Sequence, residues 1–535
     1  MKILFVIPPF RTTDDLIARL YPMPYGVVLL ATILKHAGHA VTIKDFLLPS
    51  QKTPTPAPPS AKGLGGPRYI HYGTPLEDAL KWLQEHIHGY DVVGMPTTLC
   101  NTQSTASALA KSIHAANKPL VIGGPFATTA TEQAQQATNA NVVVVGEGEH
   151  VVEQAFEQAA VNEHTVIKGP PVMDLDAMPM PDWSLALPSQ YPAVGSRVRA
   201  VTTVSRGCPH ACEFCSVHTI TGRQHRRKSP ERIRAEILNL WRYGASYICF
   251  LDDDLFISKR HADIVLGIIE DLKRTSKVFR KTRFYCEEGL EVRMAAQPGL
   301  LKRIKAAGFD QIVLGLETMN AERRKQQKKP YLERHLAEAV RACHKARVPA
   351  RAFYIVGLPG DTVASVTNDL VAFGKLGLAV RSNNLKLYPG TTTTAQFLQA
   401  GYIDESYDWR LSSWYTPDTP ELRYPQVKQL KALVGAIGKA AEEWQVALFA
   451  DEQAIIALKA ARCKYKLTFE RDGSVTLTGN LFRATPLKHI VEMLCLRFGA
   501  AGAKVDQNGT TLTARPTAEP ASEVQAALVI ALRKG

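Results

Sequence analysis

The sequence predicts an α/β protein: an open parallel sheet, then six further β/α units forming a partial barrel, then a small α+β appendage. Two observations carry that prediction. Up to about residue 160, short β-rich apolar runs at 3–7, 41–46, 91–95, 119–122 and 142–145 alternate with helical patterns. Past residue 199 the alternation resumes, with runs at 200–204, 247–251, 282–286, 311–316, 351–356 and 383–387. Strand-length runs separated by helix-length segments are the signature of parallel sheets.

Taken in order, the chain opens on Met1-Lys2-Ile3-Leu4-Phe5-Val6-Ile7, cut off by Pro8 and Pro9. That run is too short for a signal peptide and reads as a buried first strand. The strand ends of the first sheet carry Pro8-Pro9, Thr97-Thr98, Gly123-Gly124-Pro125 and Gly146-Glu147-Gly148-Glu149. In open parallel sheets ligands bind outside the carboxyl ends of the strands, so backbone here can approach a large ligand closely. The proline-, glycine- and threonine-rich segment 48–75 reads as an insertion on the same edge, either a functional loop or a disordered one. A second proline-rich stretch, 169–193, lacks periodicity and sets the expected boundary. The predicted divisions are a sheet domain at 1–160, a linker at 161–199, the barrel at 200–395, a helical extension at 396–460 and an α+β domain at 461–535. In the last, strands at 465–469 and 474–478 are hinged at Asp472-Gly473.

Composition bounds the class. Hydrophobic residues make up 45% and charged residues 21%, the balance of a globular protein rather than a disordered or fibrous one. A formal net charge of +14 is compatible with an acidic partner, but the cations are scattered along helices and read rather as solvated faces. No uncharged apolar stretch is long enough to cross a bilayer, which predicts a cytoplasmic protein. Three of the nine cysteines are clustered and six dispersed, unlike a secreted disulfide framework, so a reducing compartment is expected.

The clustered cysteines lie in Ser205-Arg206-Gly207-Cys208-Pro209-His210-Ala211-Cys212-Glu213-Phe214-Cys215, just after the first barrel strand. Three soft thiolates within eight residues can wrap one face of an iron–sulfur cube and leave its fourth iron open. A structural zinc site would need a fourth ligand, for which His210 and His218 are the only local candidates.

A CxxxCxxC loop after the first strand of six β/α units resembles the radical S-adenosylmethionine (SAM) superfamily. Phe214 fills its usual aromatic slot, and Gly207 and Pro209 fit its cobalamin-dependent branch, the class B methyltransferase-like enzymes. The resemblance implies a 4Fe–4S cluster on Cys208, Cys212 and Cys215, with SAM cleaved reductively to a 5′-deoxyadenosyl radical. It also implies SAM contacts at Phe214, at the acidic run Asp252-Asp253-Asp254 ending the second strand, at Glu317, and at Gly357 and Pro359. The acidic run also reads as a helix-start charge cluster, and the Gly357-Leu358-Pro359-Gly360 stretch as an ordinary tight turn. Tyr388-Pro389-Gly390-Thr391 follows the sixth strand as it does in many members of that family.

The first domain resembles the Rossmann-like cobalamin-binding domain of the same branch, through Leu34-Lys35-His36-Ala37-Gly38-His39-Ala40-Val41 and the glycine-rich strand ends. That resemblance implies cobalamin contacts at Pro9, Thr97, Thr98, Gly123, Gly124, Gly146, Glu147 and Gly148. No DxHxxG box is present, so a cobalt lower face without a histidine ligand is expected, and Arg68, Tyr69, His71 or Tyr72 of the insertion could lie near it. Together the resemblances cover about residues 2–391. They imply methyl transfer to a weakly activated carbon: one SAM methylates cobalt(I), a second starts the radical, and the substrate radical takes the methyl group. Non-methylating cyclases and rearranging enzymes share these parts, and a cobalamin or redox sensor is the reading outside enzymes. Expected partners are a small-molecule or peptide substrate and an electron donor such as flavodoxin or ferredoxin; no nucleic-acid partner is expected, for want of an appended RNA-binding signature. Trp409, Trp414 and Tyr415 read as packing or as a substrate cap. The remaining cysteines, Cys100, Cys249, Cys286, Cys343, Cys463 and Cys495, read as buried small hydrophobes.

Overall fold

A computed structural model of the chain describes residues 1–13, 23–48, 52–55, 69–98, 102–286, 288–309, 311–329, 331–376, 378–413, 415–424, 426–428 and 430–431, together with the C-terminal strands named below. The chain forms two compact units, one of Met1–Glu288, Ala306–Asp310 and Lys386–Tyr415 and the other of Gly289–Lys305, Gln311–Leu385 and Thr416–Gly535. Residues 161–199 belong inside the first unit, and residues 200–395 are shared between both.

In the first unit the chain runs β1 (Lys2–Ile7), β2 (Phe10–Thr13), α1 (Tyr25–His36), β3 (Ala40–Asp45), β4 (Lys52–Pro54), β5 (Tyr69–Tyr72), α2 (Leu76–His86), β6 (Val92–Pro96), α3 (Gln103–Ala115), β7 (Leu120–Gly123), α4 (Pro125–Thr129), α5 (Thr131–Thr138), β8 (Val142–Gly146), α6 (Val152–Ala160) and β9 (Thr165–Gly169). Six strands make a parallel sheet in the order β3-β1-β6-β7-β8-β9. Alternation along β1 divides the core: Ile3, Phe5 and Ile7 pack with Val27, Ala31 and Phe156, while Leu4 and Val6 pack with Leu83, Leu109 and Ile113. Helices on both faces are what a strand apolar from Ile3 to Ile7 requires.

Strand β9 lies within the stretch expected to be linker. Its alternating exposed and buried residues mark a sheet edge, so it lacks the continuous apolar run of its neighbours. The stretch after it is equally ordered. Trp183 is buried near the Tyr25 ring, with centroids 6.2 Å apart, and the Tyr191 hydroxyl donates to Asp45 Oδ2 at 2.9 Å. From the insertion, β4 and β5 join β2 in a three-stranded antiparallel sheet, while Arg68 lies outside the described residues.

Next come β10 (Arg199–Thr202), β11 (Ser205–Arg206), α7 (Val217–Ile220), β12 (Arg226–Arg227), α8 (Pro230–Arg242), β13 (Tyr247–Phe250), α9 (Lys259–Thr275) and β14 (Arg283–Cys286). Strands β10-β13-β14 form a parallel sheet, and β11 pairs antiparallel with β12. Helix α8 starts where its sequence says it should, with the Ser229 side chain accepting from Arg232 N–H and Pro230 in the first turn.

The chain continues through α10 (Val292–Ala295), α11 (Leu300–Ala307), β15 (Leu314–Glu317), α12 (Ala321–Gln326), α13 (Glu333–Lys345), β16 (Arg351–Val356), α14 (Val363–Leu376) and β17 (Ala379–Asn384). Strands β15-β16-β17 form a second parallel sheet of three. The sixth strand was expected at 383–387 and lies earlier. Its polar residues hid it, and each is satisfied in place: Arg381 by Gln311, Ser382 by the Lys431 carbonyl and Asn384 by Thr416.

Helix α15 (Thr392–Gln399) returns to the first unit. The helical extension is described only as far as residue 431. The C-terminal strands β18 (Cys463–Phe469), β19 (Val475–Gly479), β20 (Ala503–Asn508), β21 (Thr511–Pro516) and β22 (Leu528–Arg533) form an antiparallel sheet in the order β20-β21-β19-β18-β22. Strands β18 and β19 are the expected hairpin; its Asp472-Gly473 turn and any helices of this domain lie outside the described residues. No helix among the described residues is long and apolar enough to cross a membrane.

Burial pushes the Asp45 carboxyl up to about 6 despite the bonds from Leu47 and Tyr191. The native state thus binds this proton more tightly than the unfolded chain, and stability falls as pH rises from about 4 to 6. The difference amounts to about 3 kcal/mol between the two limits. Asp45→Asn should flatten the unfolding free energy over that window; an unchanged slope in denaturant titrations at successive pH values would count against it.

Candidate active site

The three-cysteine loop leaves hairpin strand β11 and returns to β12, and its entry is fixed by a glycine. Gly207 has φ +87°, and a Cβ there would lie 2.3 Å from the Gln224 carbonyl oxygen, so no other residue fits. Its N–H donates to Asp253 Oδ2 at 2.8 Å. Cys208 N–H donates to the Gly222 carbonyl at 3.3 Å, and Cys215 N–H to the Cys212 carbonyl at 3.2 Å. All three cysteines are half-buried and outside any disulfide, with Phe214, also half-buried, between the second and third in sequence. Burial pushes the Cys208 thiol up to about 12, with Asp254, Cys212 and Cys215 adding to the effect. Thiols so crowded favour a cationic partner that takes them as thiolates.

Among the described residues no three His, Cys, Asp or Glu side chains are grouped as ligands of a metal ion. A zinc ion would draw its ligands to one point, whereas a cube spreads three thiolates over three corners. Three cysteines are one ligand short of a structural zinc set but sufficient for a cube with one open iron.

The acidic run divides its work. Asp252 is 1% exposed, and its carboxylate accepts from Val204 N–H at 3.1 Å, from Ser205 N–H at 2.5 Å and from the Ser205 hydroxyl at 2.6 Å. Burial pushes it up to about 7. Asp253, also raised by burial, accepts from Gly207 N–H and from the Thr221 hydroxyl at 2.9 Å. Asp254 lies 3.8 Å from His210 Nε2, inside the cysteine loop. Two of the three carboxylates thus hold loop backbone.

The first sheet is bolted to this loop. Glu147 accepts from Arg226 Nη1 at 2.8 Å and Nη2 at 2.5 Å, from Arg206 Nη1 at 3.2 Å and from Val172 N–H at 2.7 Å. Glu149 takes the other Arg206 nitrogen at 2.6 Å. Burial opposes ionisation of Glu147, yet the Arg226 and Val172 hydrogen bonds and the Arg206 and Arg226 charges hold its carboxyl below the usual range. Glu147, expected to touch cobalamin, gives its carboxylate to the two hairpin arginines. A second buried tie runs from Lys228 Nζ to Tyr25 hydroxyl on α1 at 3.0 Å and to Glu236 Oε1 at 2.6 Å. On its far side the loop is held by α15, whose Thr393 N–H and Gln396 Nε2 donate to the Glu213 carbonyl and carboxylate, both at 3.1 Å.

The other expected contacts of the first sheet fall into two groups. Thr97 is buried: its hydroxyl donates to the Gly123 carbonyl at 3.0 Å and accepts from Ala127 N–H at 3.1 Å, so it braces the start of α4. Pro9 is also buried, its carbonyl accepting from Thr105. Thr98 is exposed, and Gly123, Gly124 and Gly148 are half-buried at their strand ends. Gly124 (φ +106°) and Gly146 (φ +88°) hold conformations that side chains resist, Gly146 lying against the Gly169 backbone. The His71 Nε2 pairs with the Thr74 carbonyl at 2.7 Å, and His39 Nδ1 lies 3.2 Å from the Met1 amino group.

In the second unit Glu317 ends β15 with φ +66°, beside a register shift, and Lys329 Nζ lies 3.3 Å from its Oε1. Gly357 (φ +94°) and Leu358 donate their N–H groups to Asp361 Oδ2 at 2.8 and 3.0 Å, and Arg323 pairs with Asp361 Oδ1 at 2.7 Å. Pro359 is half-buried in that turn. Sequence reasoning missed Arg206, Arg226, Glu149 and Lys329. Arg206 flanks the cysteine motif directly, but its partners lie more than fifty residues away.

Residues 202–370 match the radical SAM superfamily. The chain is 29% identical over 256 residues to an uncharacterized methyltransferase of Synechocystis, spanning 47% of this chain and 45% of that one. It is 26% identical over 422 residues to an uncharacterized methyltransferase of Pyrococcus horikoshii, spanning 73% and 82%. With the bacteriochlorophyllide d C-8(2)-methyltransferase of Chlorobaculum tepidum it shares 23% over 365 residues, spanning 63% and 76%. Its fold is shared with the radical SAM methyltransferase TsrM of Kitasatospora setae, solved with cobalamin and a 4Fe–4S cluster (TM-score 0.55, 15% identity, 75% of each chain). It is also shared with the cobalamin-dependent SAM radical enzyme OxsB, solved with aqua-cobalamin and SAM (TM-score 0.53, 15% identity, 75% of this chain and 55% of that one). The chain carries a radical SAM domain.

The buried Glu147–Arg226 pair generates a test. Arg226→Met strands a buried carboxylate and should cost about 3 kcal/mol, while Glu147→Met with Arg226→Met should recover part of the loss. Additive losses in that double-mutant cycle would show that the two side chains do not work as a unit.

Proposed function

We propose that the chain is a cobalamin-dependent radical SAM methyltransferase acting on a weakly activated carbon, with its six β/α units as the partial barrel. The observation that supports this most is the loop of three crowded thiols, braced by Asp252 and Asp253 and clamped to a strand end of a parallel sheet. In this reading Cys208, Cys212 and Cys215 hold the cluster. Together the cluster, SAM and cobalamin supply the electron, the hydrogen-abstracting radical and the transferable methyl group.

The chain's own residues do the placing. Asp252 and Asp253 keep the loop backbone in one conformation, and Glu147, Arg206 and Arg226 hold it against the first sheet, so the reacting groups meet a preorganised frame. Asp254, Phe214, Glu317, Lys329, Gly357 and Pro359 are the proposed SAM contacts. Thr98, Gly123, Gly124, Gly146 and Gly148 present the strand-end surface proposed for the corrin. The missing DxHxxG box supports a corrin held without a protein imidazole. The relatives named as methyltransferases support methyl transfer. A second reading, oxidative cyclisation, is favoured by one relative, the anaerobic magnesium-protoporphyrin IX monomethyl ester cyclase of Cereibacter sphaeroides, 25% identical over 68% of this chain.

Anaerobically reconstituted protein should form 5′-deoxyadenosine from SAM under reduction, and Cys208→Ala, Cys212→Ala and Cys215→Ala together should abolish it. Label from methyl-labelled SAM should appear in bound cobalamin, whose cobalt(II) spectrum should show no nitrogen splitting from protein. Persistent cleavage in the triple variant refutes the cluster assignment. Failure of the intact protein to bind cobalamin refutes the methyl-transfer reading. Asp252→Ala and Asp253→Ala should lower the iron content, which separates their bracing role from SAM binding; full iron loading with weakened SAM affinity would reverse that assignment.

A further inference from the structure

Reductive cleavage of SAM consumes one electron, which under the proposed function comes from outside the chain. One segment of the chain backs the cysteine loop at Cys208. Gly222 accepts the Cys208 N–H, and Arg223 Nη1 donates to the His210 carbonyl at 3.0 Å, so residues 222–227 lie directly against the cysteine loop. The same segment packs on the first turn of α9, where the His225 and His261 rings meet edge to face with centroids 5.2 Å apart.

Around that contact Arg223, Arg227, Lys259 and Arg260 are all exposed. A shallow concavity lined by Lys259, Arg260, Asp263 and Ile264 opens beside it. Asp263 is the acidic group of that lining, and its Oδ2 lies 3.6 Å from Lys259 Nζ, an exposed pair that offsets little of the positive field. Burial, with the Arg227 charge, holds both His225 and His261 down at about 4, His225 itself adding to the effect on His261. At neutral pH the positive field of this face therefore comes from guanidinium and ammonium groups, with Asp263 opposing it.

We propose that this basic face docks an acidic one-electron carrier protein of the flavodoxin or ferredoxin kind, an inference that rests on the radical SAM reading. The carrier loses one electron, and that electron breaks the C5′–S bond of SAM into methionine and the 5′-deoxyadenosyl radical. Complementary charge speeds such an encounter by tenfold or more and makes it salt-sensitive. A nucleic acid would use the same charge but gain nothing from the cysteines behind it.

The test compares full-length reconstituted parent with Lys259→Glu/Arg260→Glu, a change that the N-terminal turn of a helix tolerates. 5′-Deoxyadenosine formation is followed with reduced bacterial flavodoxin and, separately, with dithionite, at several salt concentrations. With flavodoxin, kcat/KM for the carrier should fall about tenfold and lose its salt dependence, while the dithionite-driven rate stays within about twofold of the parent. Lys259→Arg/Arg260→Lys should behave as the parent. An unchanged flavodoxin rate, or equal losses with both donors, overturns the docking face, as does weakened binding of a DNA duplex with flavodoxin turnover intact. A parent that cleaves no SAM with dithionite overturns the proposed function and this inference with it.

Discussion

One buried carboxylate sets the arrangement of the first unit. Glu147 is withdrawn from water at a strand end of the sheet, and that placement is tolerable only because Arg226 and Arg206 neutralise it and Val172 supplies a backbone donor. Both arginines belong to the β11–β12 hairpin from which the three-cysteine loop projects. Sheet and hairpin are thus coupled: neither side of the pair can be buried alone without leaving an unpaired charge. Two glycines make the geometry available. A Cβ on Gly169 would lie 1.8 Å from the Glu147 carbonyl oxygen, and one on Gly146 would lie 2.6 Å from the Gly169 carbonyl oxygen, so the backbone at the end of β8 closes onto β9 only in their absence.

From that anchor the polar interior continues in steps. Arg206 leads into Gly207, whose N–H is taken by Asp253; Ser205, one residue earlier, is taken by Asp252. Lys228 then closes the hairpin's return by joining Glu236 to Tyr25 of α1. Every one of these buried charges has a partner, which is the condition under which a polar network specifies a single arrangement rather than weakening the core. The cysteines are therefore presented on a frame whose rigidity does not depend on the cysteines themselves.

What could be read from the sequence follows from which interactions are local. The five apolar runs of the first sheet and the cysteine loop were legible because periodicity and ligand spacing are written in consecutive residues. Strand β9 was not, since an edge strand alternates in polarity and sat in a proline-rich stretch; nor was the position of β17, whose Arg381, Ser382 and Asn384 find partners in distant segments. The acidic run stands out in the sequence, but its division into two loop braces and one residue beside His210 depends on pairings more than forty residues apart. Glu147 shows the limit most clearly. A glycine-flanked carboxylate at a strand end looks like a ligand contact until the arginines that consume it are located.

The same device recurs in the second unit. Asp361 accepts the N–H groups of Gly357 and Leu358 at the end of β16 and is itself paired with Arg323, just as Asp252 accepts the N–H groups of Val204 and Ser205 and Glu147 is paired with Arg226. A parallel strand ends by exposing main-chain donors that have no ladder partner, and a buried carboxylate satisfies two of them at once. At Asp361 the cost of burying the carboxylate is offset by Arg323, drawn from a different element, which ties the turn to its surroundings. Turns built this way keep their shape when no ligand is present, so the strand ends proposed to carry SAM and the cluster are preorganised separately in each unit, and binding there has little ordering entropy left to overcome.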